Sequence, residues 1–203
     1  MLALSAPSNP GLWRLIGSDY RAQYEHKDES STMSMALFLP RILTNASMHA
    51  VVLTRLMVAS PRPLRWISRR LLIALHSIDV ERPCSIGPGL QLPHPFGIVI
   101  GAQTYLGSHV LIAHNVTVSP ATRRDSDGAS RGRLVVGNGV TLFTGCMVLG
   151  ALHVGDDAQV GAGQLLTEDL PAGSRYVRGR IVREGTTGPE KGSGGAGSDD
   201  RAR

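Results

Sequence analysis

The pattern of hydrophobic positions divides the chain into two parts. Between residues 11 and 78, apolar residues recur three or four positions apart, the spacing of one helix face. From residue 79 onward, aliphatic residues recur every six positions instead. Twelve positions follow this repeat: Ile86, Leu92, Ile100, Leu106, Ile112, Val118, Val136, Leu142, Val148, Val154, Val160 and Leu166. Two intervals differ, a two-residue slip between Leu92 and Ile100 and a gap of three hexads after Val118.

A six-residue apolar period fits neither an α-helix nor simple strand alternation. It is typical of a parallel β-helix, in which each hexad is one short strand followed by a turn. Glycine directly follows many of the aliphatic positions, as in Ile86-Gly87 and Val154-Gly155, and suits turns that need a positive φ. The pattern therefore predicts a mainly β fold, with a parallel β-helix over residues 79–182 and an α-helical segment over 11–78.

Helical spacing in the first part predicts helices over residues 11–29, from near Pro40 to residue 60, and over 64–78. Ser30, Ser31 and Thr32 offer caps for a further short helix. The helix over 64–78 has two predicted faces, one with Trp66, Ile67, Leu71, Leu72 and Leu75 and one with Arg65, Arg69 and Arg70. We expect the arginine face to be solvated; the alternative is a helix lying on a membrane surface.

Three segments lack periodic aliphatic residues. Residues 1–10 are predicted to be flexible, and residues 183–203, rich in glycine, serine and charge, to be a disordered tail. Residues 119–133 interrupt the repeat by a whole multiple of six and are predicted to form a polar loop that a rigid coil presents for function. A disordered insertion is the alternative for this loop.

Charge and composition exclude several classes of function. The net charge is +5, but the basic residues are not interleaved with aromatic residues, so we expect no nucleic-acid binding. Two cysteines without metal-site spacing predict a reducing, cytoplasmic setting and no metal. Residues 1–10 lack the features of a secretory signal, and the apolar run 51–59 is too short to span a bilayer. We therefore expect a soluble protein without membrane association.

His94 is the candidate for chemistry. It lies between Pro93 and Pro95, at a corner that follows the inward-facing Leu92. A neutral imidazole is the natural base for removing a hydroxyl proton near neutral pH. The alternative is a turn histidine without a role. His114 falls three hexads later once the slip is counted, so we expect it to stack one coil above His94, as a ligand of substrate or as a surface residue.

Three blocks of sequence resemble one known family. They are residues 11–14 with 24–28, the His-Ala-Val-Val-Leu-Thr-Arg run 49–55, and 79–87, which resembles that family's entry to its coil. In the family a catalytic histidine follows an aspartate at a fixed interval, and His94 follows Asp79 at that same interval. The chain resembles the hexapeptide-repeat acyltransferases, most of all serine O-acetyltransferase, over residues 11–182.

This resemblance implies a left-handed parallel β-helix with about three hexads per turn, a homotrimer with active sites between subunits, and acetyl-CoA as co-substrate. It assigns His94 as general base, Asp79 as its orienting carboxylate and Asp28 as the holder of a serine ammonium group. Arg131 stands where the family has a second active-site histidine and could bind a carboxylate, and His114 could line the site. The residues expected to contact CoA are Thr144, Gly145, Ala162, Gly163 and Arg180.

The resemblance also has departures. Pro93 stands where the family has aspartate, and the C-terminal isoleucine with which many relatives bind cysteine synthase is missing, so we expect no such complex. The predicted function is direct acetyl transfer from acetyl-CoA to a small-molecule hydroxyl, by default that of L-serine, which gives O-acetylserine for cysteine biosynthesis. The alternatives are a hydroxyl of a sugar, polysaccharide or specialised metabolite, and a non-catalytic trimeric scaffold.

Overall fold

The computed structural model describes residues 11–24, 40, 42, 44–120 and 132–183 of the chain. Three helices come first: α1 (Leu12–Tyr24), α2 (Ala46–Ala59) and α3 (Arg62–His76). Fourteen short strands follow, and the bounds of all of them are β1 Asp79–Val80, β2 Cys84–Ile86, β3 Val99–Ile100, β4 Thr104–Leu106, β5 Leu111–Ile112, β6 Thr117–Ser119, β7 Leu134–Val136, β8 Thr141–Leu142, β9 Met147–Leu149, β10 His153–Val154, β11 Gln159–Val160, β12 Leu165–Leu166, β13 Ser174–Val177 and β14 Arg180–Arg183.

The helix boundaries follow local capping chemistry. The side chain of Asn45 accepts hydrogen bonds from the backbone N–H groups of Ser47 and Met48, so α2 begins at Ala46. The described residues before this cap, Pro40, Ile42 and Thr44, are also helical, so the helix predicted from near Pro40 is interrupted at Asn45. Pro61 separates α2 from α3, as predicted. α3 ends where Ser77 adopts a left-handed conformation, with φ of 52°. The predicted extension of α1 to residue 29, the short helix with caps at residues 30–32, the predicted flexible residues 1–10 and residues 184–203 lie outside the described residues. Arg183, the first residue of the predicted tail, is instead the last residue of β14.

The arginine face of α3 is solvated as predicted, with Arg69 and Arg70 exposed, but the predicted apolar face is wrong except at Leu72. The residues that α3 buries are Ser68, Leu72 and His76, four positions apart, against α2 and the coil. Most of the predicted apolar face is exposed in the single chain, with Trp66 at 63% exposure. On the predicted solvated face, Arg69 forms an ion pair with Asp79. The small side chain of Ser68 and the buried imidazole of His76 set which side packs, a choice that hydrophobicity alone does not show.

The strands form the predicted parallel β-helix. Three parallel sheets run along the coil: β1-β3-β6-β9-β12, β2-β4-β7-β10 and β5-β8-β11-β13, with β14 added antiparallel to β13. All twelve periodic aliphatic residues are buried, which confirms the predicted phase of the repeat. A second buried column lies two residues before most of them, and the six-residue pattern did not predict it: Leu90, Ile98, Thr104, Val110, Val116, Leu134, Val140, Cys146, Leu152 and Ala158.

Strand register explains both irregular intervals. Val99 pairs with Thr117, three hexads further along the chain, so one coil is three hexads. Leu106 pairs with Val136, five hexads further along, so the loop adds two hexads to one coil without disturbing the register. The two-residue slip lies between Leu92 and Ile100, at the corner that carries His94. The predicted loop at 119–133 is described only at its two ends, because residues 121–131 lie outside the described part.

A buried ion pair joins the helices to the first coil. Arg55 of α2 donates two hydrogen bonds to Asp19 of α1, at 2.7 and 2.8 Å. The same guanidinium donates to the backbone carbonyls of Ile86 and Gly87, each at 2.6 Å, and Asp19 accepts from the N–H of Leu90. Both side chains are almost fully buried, so this network fixes how the helices sit on the coil.

Candidate active site

The corner between the sheet of β5 and the sheet of β6 recurs in each coil, and His94 lies at its first turn. Two extra residues in this turn move the chain outward, and His94 adopts a left-handed conformation with φ of 53°. Pro95 is buried beneath it, while His94 itself is exposed. The imidazole of His94 is thus exposed next to a buried proline.

His114 stacks one coil above His94, as predicted. The two ring centroids are 6.2 Å apart and the rings are almost perpendicular, at 88°. Nδ1 of His114 is buried and has no hydrogen-bond partner among the described residues. Since a buried N–H without an acceptor is rarely tolerated, we assign the ring proton to Nε2. Nε2 of His114 is then a hydrogen-bond donor.

The residues predicted to contact CoA continue the same corner. The N–H of Gly145 donates to the carbonyl of His114, and the N–H of Gly163 donates to the carbonyl of Thr144. Thr144 and Ala162 therefore lie in one column above His114, about 4.8 Å apart per coil. Arg180 is exposed on β14, next to a turn whose Gly179 N–H donates to the side chain of Gln164. The structure thus aligns residues that are far apart in sequence.

The upper part of this column is open enough for a long thin ligand. A Cβ added at Gly145 or Gly163 would meet nothing within 4 Å, although both have a positive φ. At Gly97, in contrast, an added Cβ would meet the side-chain oxygen of Asn115, and the positive φ of 68° also favours glycine. The small residues Gly145 and Gly163 therefore leave open space beside the backbone on this side of the coil.

A cavity of about 490 Å³ lies between the helices and this corner. It is lined by Ala46, Leu75, His76, His94, Pro95, Phe96 and His114. His76, to which the sequence pattern assigns no role, is part of this lining. Its ring is 2.9 Å from His49, measured between Nε2 of His76 and Nδ1 of His49. Only the packing of α2 and α3 on the coil brings these histidines together, so no spacing in the sequence could reveal them.

Asp79 lies at the start of β1 but its carboxylate does not contact His94. Both of its oxygens accept hydrogen bonds from Arg69 of α3, at 2.8 and 3.0 Å, and no hydrogen bond joins Asp79 to His94 among the described residues. This bond to Asp79 raises the pKa of Arg69. A carboxylate can accept four hydrogen bonds, so Asp79 keeps free lone pairs. Its predicted role as the orienting group of His94 stays a prediction.

Two predicted substrate-binding residues, Asp28 and Arg131, lie outside the described residues, so their roles also stay predictions. Across 11–24, 44–120 and 132–183, no group of three or more His, Cys, Asp or Glu side chains is arranged to hold a metal ion. In the same ranges, none of the helices has the length and apolar character that crossing a membrane requires.

We expect both thiols of the folded protein to resist alkylation and disulfide reagents. Burial raises the pKa of Cys84 to about 11 and that of Cys146 to about 12. At pH 8 a thiol of pKa 11 is about one part in a thousand thiolate, the reactive form. Titration with a chromogenic disulfide reagent should therefore detect neither thiol within minutes, and both after unfolding in guanidinium. Rapid reaction of either thiol in the native protein would contradict this prediction. It would also make a reaction through an acyl-cysteine intermediate possible.

Folding stability should depend on pH through His76. Burial, followed by the nearby His49, lowers the pKa of His76, and the Pro95 carbonyl only partly opposes this. The unfolded chain therefore binds the His76 proton more readily, so the free energy of unfolding rises with pH up to about 6.5 and then levels off. Urea unfolding at several pH values should show a weaker slope for His76→Gln than for the wild type. Equal slopes would contradict the prediction.

Known proteins resemble the chain in sequence and in fold. It is 34% identical over 142 residues to a serine acetyltransferase of Helicobacter pylori (strain ATCC 700392 / 26695), an alignment that covers 67% of the chain and 80% of that protein. The chain belongs to the serine acetyltransferase family. Members of this family are acyltransferases of the hexapeptide-repeat class, so the predicted resemblance is confirmed. No protein-family model matches the chain.

Solved serine acetyltransferases share the fold. Soybean serine acetyltransferase in complex with serine superposes with a TM-score of 0.68 at 24% identity, covering 86% of this chain and 70% of that one. A serine acetyltransferase in complex with CoA gives a TM-score of 0.66 at 23% identity, with the same coverage. The coil is accordingly a left-handed parallel β-helix preceded by helices, as the sequence predicted.

Proposed function

We propose that the protein transfers an acetyl group from acetyl-CoA directly to the hydroxyl of a small molecule, with His94 as general base. One observation carries the proposal. His94 and His114 lie in the first two coils of the same corner, and the next two coils place Thr144, Gly145, Ala162 and Gly163 above them. A thioester carried along this open column ends beside the two imidazoles. The resemblance to a relative solved with CoA supports the donor.

The chemistry needs only one proton to be moved. The acceptor oxygen forms a bond to the acetyl carbonyl carbon while the carbon–sulfur bond to CoA breaks. The hydroxyl proton passes to the free nitrogen of His94 and then to the departing CoA sulfur. His114 lines the same cavity as His94, and its Nε2–H could donate to the carbonyl oxygen as negative charge develops there. Cys84 is half-buried, Cys146 is buried and burial raises the pKa of both thiols, which favours direct transfer over an acyl-enzyme.

L-serine is the proposed acceptor, and O-acetylserine the product. The relatives named serine acetyltransferase support this choice. Pro93 stands where the family has an aspartate next to the catalytic histidine, and this difference is the reason to test other acceptors. CoA release should be followed with L-serine, with a panel of sugars and with no acceptor. CoA release that depends on L-serine supports the proposal, and release that depends on a sugar indicates a sugar or polysaccharide acceptor. If calorimetry detects no binding of acetyl-CoA, a non-catalytic scaffold is supported instead.

We further propose a cytoplasmic homotrimer. An outward column on one sheet carries Val99, Thr117, Met147 and Leu165 in register, and three of these are exposed apolar residues in the single chain. A neighbouring coil would cover this column and bring a second subunit beside the His94 corner. Analytical ultracentrifugation of the wild type and of Met147→Glu tests the assembly: the wild type should sediment as a trimer and the variant as a smaller species.

A further inference from the structure

Two histidines of the helical segment support the corner that carries His94. His76 is the last residue of α3 and is buried, and His49 lies in the first turn of α2. Nδ1 of His49 and Nε2 of His76 are 2.9 Å apart, and the ring centroids are 5.1 Å apart. Two imidazole nitrogens at this distance share one proton as an N–H···N hydrogen bond. The ring of His76 is thus fixed by a partner on another helix.

His76 in turn holds the chain on the C-terminal side of His94. Its backbone carbonyl accepts a hydrogen bond from the N–H of Gly97, at 3.2 Å. His76 and Pro95 line the same cavity, and the backbone carbonyl of Pro95 acts to raise the pKa of the His76 imidazole, against the effect of burial. Pro95 and Gly97 lie one and three residues after His94, whose left-handed backbone conformation is unfavourable for a residue with a Cβ. External contacts are therefore needed to keep this corner in a single conformation.

We propose that His49 and His76 are a pair of positioning residues that hold the His94 corner and so set the direction of the His94 imidazole. The proposal rests on the function proposed above, in which His94 accepts a proton. His49 fixes the ring of His76, and that ring lies against the corner at Pro95 and His94. The bond from Gly97 goes to the backbone carbonyl of His76, so substitutions of His76 remove the ring contacts and keep this bond. Neither imidazole of the pair needs to touch the reacting atoms for this effect.

The pair can hold its bond only in certain protonation states. A neutral pair keeps one shared proton, and a singly charged pair can still donate from the charged ring to the neutral one. A doubly protonated pair has N–H groups on both facing nitrogens and two positive charges side by side, so the bond is lost. Among the described residues that line the cavity with His76, the other titratable groups are His94 and His114 on the coil, and the rest of the lining is uncharged. Acid should therefore release the corner as well as protonate His94.

Kinetic constants of substituted enzymes provide the first test. His76→Ala should lower kcat for acetyl transfer by about 10- to 100-fold, because a base displaced by about 1 Å loses this much, while both KM values stay within about threefold. His76→Gln keeps one donor and one acceptor and should recover most of kcat. His153→Ala, at an exposed position on β10, is the matched control and should leave kcat unchanged. A kcat of His76→Ala within twofold of the wild type would overturn the proposal.

The pH profile provides a readout that a merely structural role would not change. On the acid side, log(kcat/KM) of the wild type should fall with a slope greater than one, because protons bind both to His94 and to the pair. In His76→Gln and His49→Gln the slope should fall to one. An acid limb of slope one in the wild type, unchanged in both variants, would overturn the assignment.

Nuclear magnetic resonance separates this proposal from the proposed activity. In ¹⁵N–¹H spectra, the shared imidazole proton should appear as a slowly exchanging signal that His49→Gln and His76→Gln each remove, together with a shift of the His94 ring signals. If no acceptor is acetylated, the proposed function fails, yet this spectrum still decides whether the pair exists and controls His94. Absence of the shared proton, or unchanged His94 signals, would overturn the pair.

Discussion

Replacing His94 lowers kcat/KM for acetyl transfer by about 10²- to 10⁴-fold, the usual contribution of a general base. The reason is that no other imidazole in the described site occupies the exposed first turn of the corner. His114 is one coil higher, and its Nδ1 is buried. We would measure CoA release with L-serine for His94→Ala and His94→Asn. Asparagine tolerates the left-handed conformation of this position, so His94→Asn separates lost chemistry from lost folding.

The control for this loss is binding. Both His94 variants should still bind CoA in calorimetry with an affinity within a few-fold of the wild type, because the proposed CoA column lies in higher coils. His153→Ala should retain full activity, since His153 lies on β10, in the sheet that does not border the His94 corner. Full activity of His94→Asn would remove His94 from the mechanism and leave the chemistry to another group.

The largest expected effect on stability comes from the buried network of Arg55 and Asp19. Arg55→Met leaves the Asp19 carboxylate buried without its cation and removes the donors to the Ile86 and Gly87 carbonyls. Removing one partner of a buried ion pair costs about 3–5 kcal/mol. Urea unfolding followed by circular dichroism should show a loss of this size.

A double variant tests the origin of this loss. Asp19→Asn combined with Arg55→Met removes the uncompensated charge, so it should recover part of the stability. Recovery should be incomplete, because the two carbonyls of the first coil still lack donors. Arg70→Met is the control: Arg70 is exposed and stacks on Trp66, so we expect a change within about 0.5 kcal/mol. A loss for Arg55→Met as small as that of the control would contradict the role of the network.

The fold was accessible to prediction because the coil repeats the same geometry. Each hexad places one aliphatic side chain inward, so the period of the residues directly reports the period of the backbone. This is why all twelve predicted positions are buried and why His114 could be placed above His94 from counting alone. The helices have no such repeat, and for α3 the apolar face was predicted on the wrong side.

The site was predictable only where its residues belong to the coil. His94, His114, Thr144, Gly145, Ala162 and Gly163 share a corner because they share a phase of the repeat. The partner of Asp79 was not predictable, because Arg69 reaches it from a helix whose rotation depends on packing. The same holds for His49 and His76, which are far apart in sequence and meet only after α2 and α3 pack together.

The amino-acid sequence by itself determined the β-helix, the inward phase of its aliphatic residues and the corner that presents His94. Those features follow from local periodicity, and a periodic backbone converts a residue number into a position in space. The tertiary structure alone decided which groups surround that corner: the Arg69–Asp79 pair, the cavity under His76 and the His49–His76 bond. These contacts depend on how the helices pack on the coil, and side-chain fit and buried hydrogen bonds set that packing rather than any repeat along the chain.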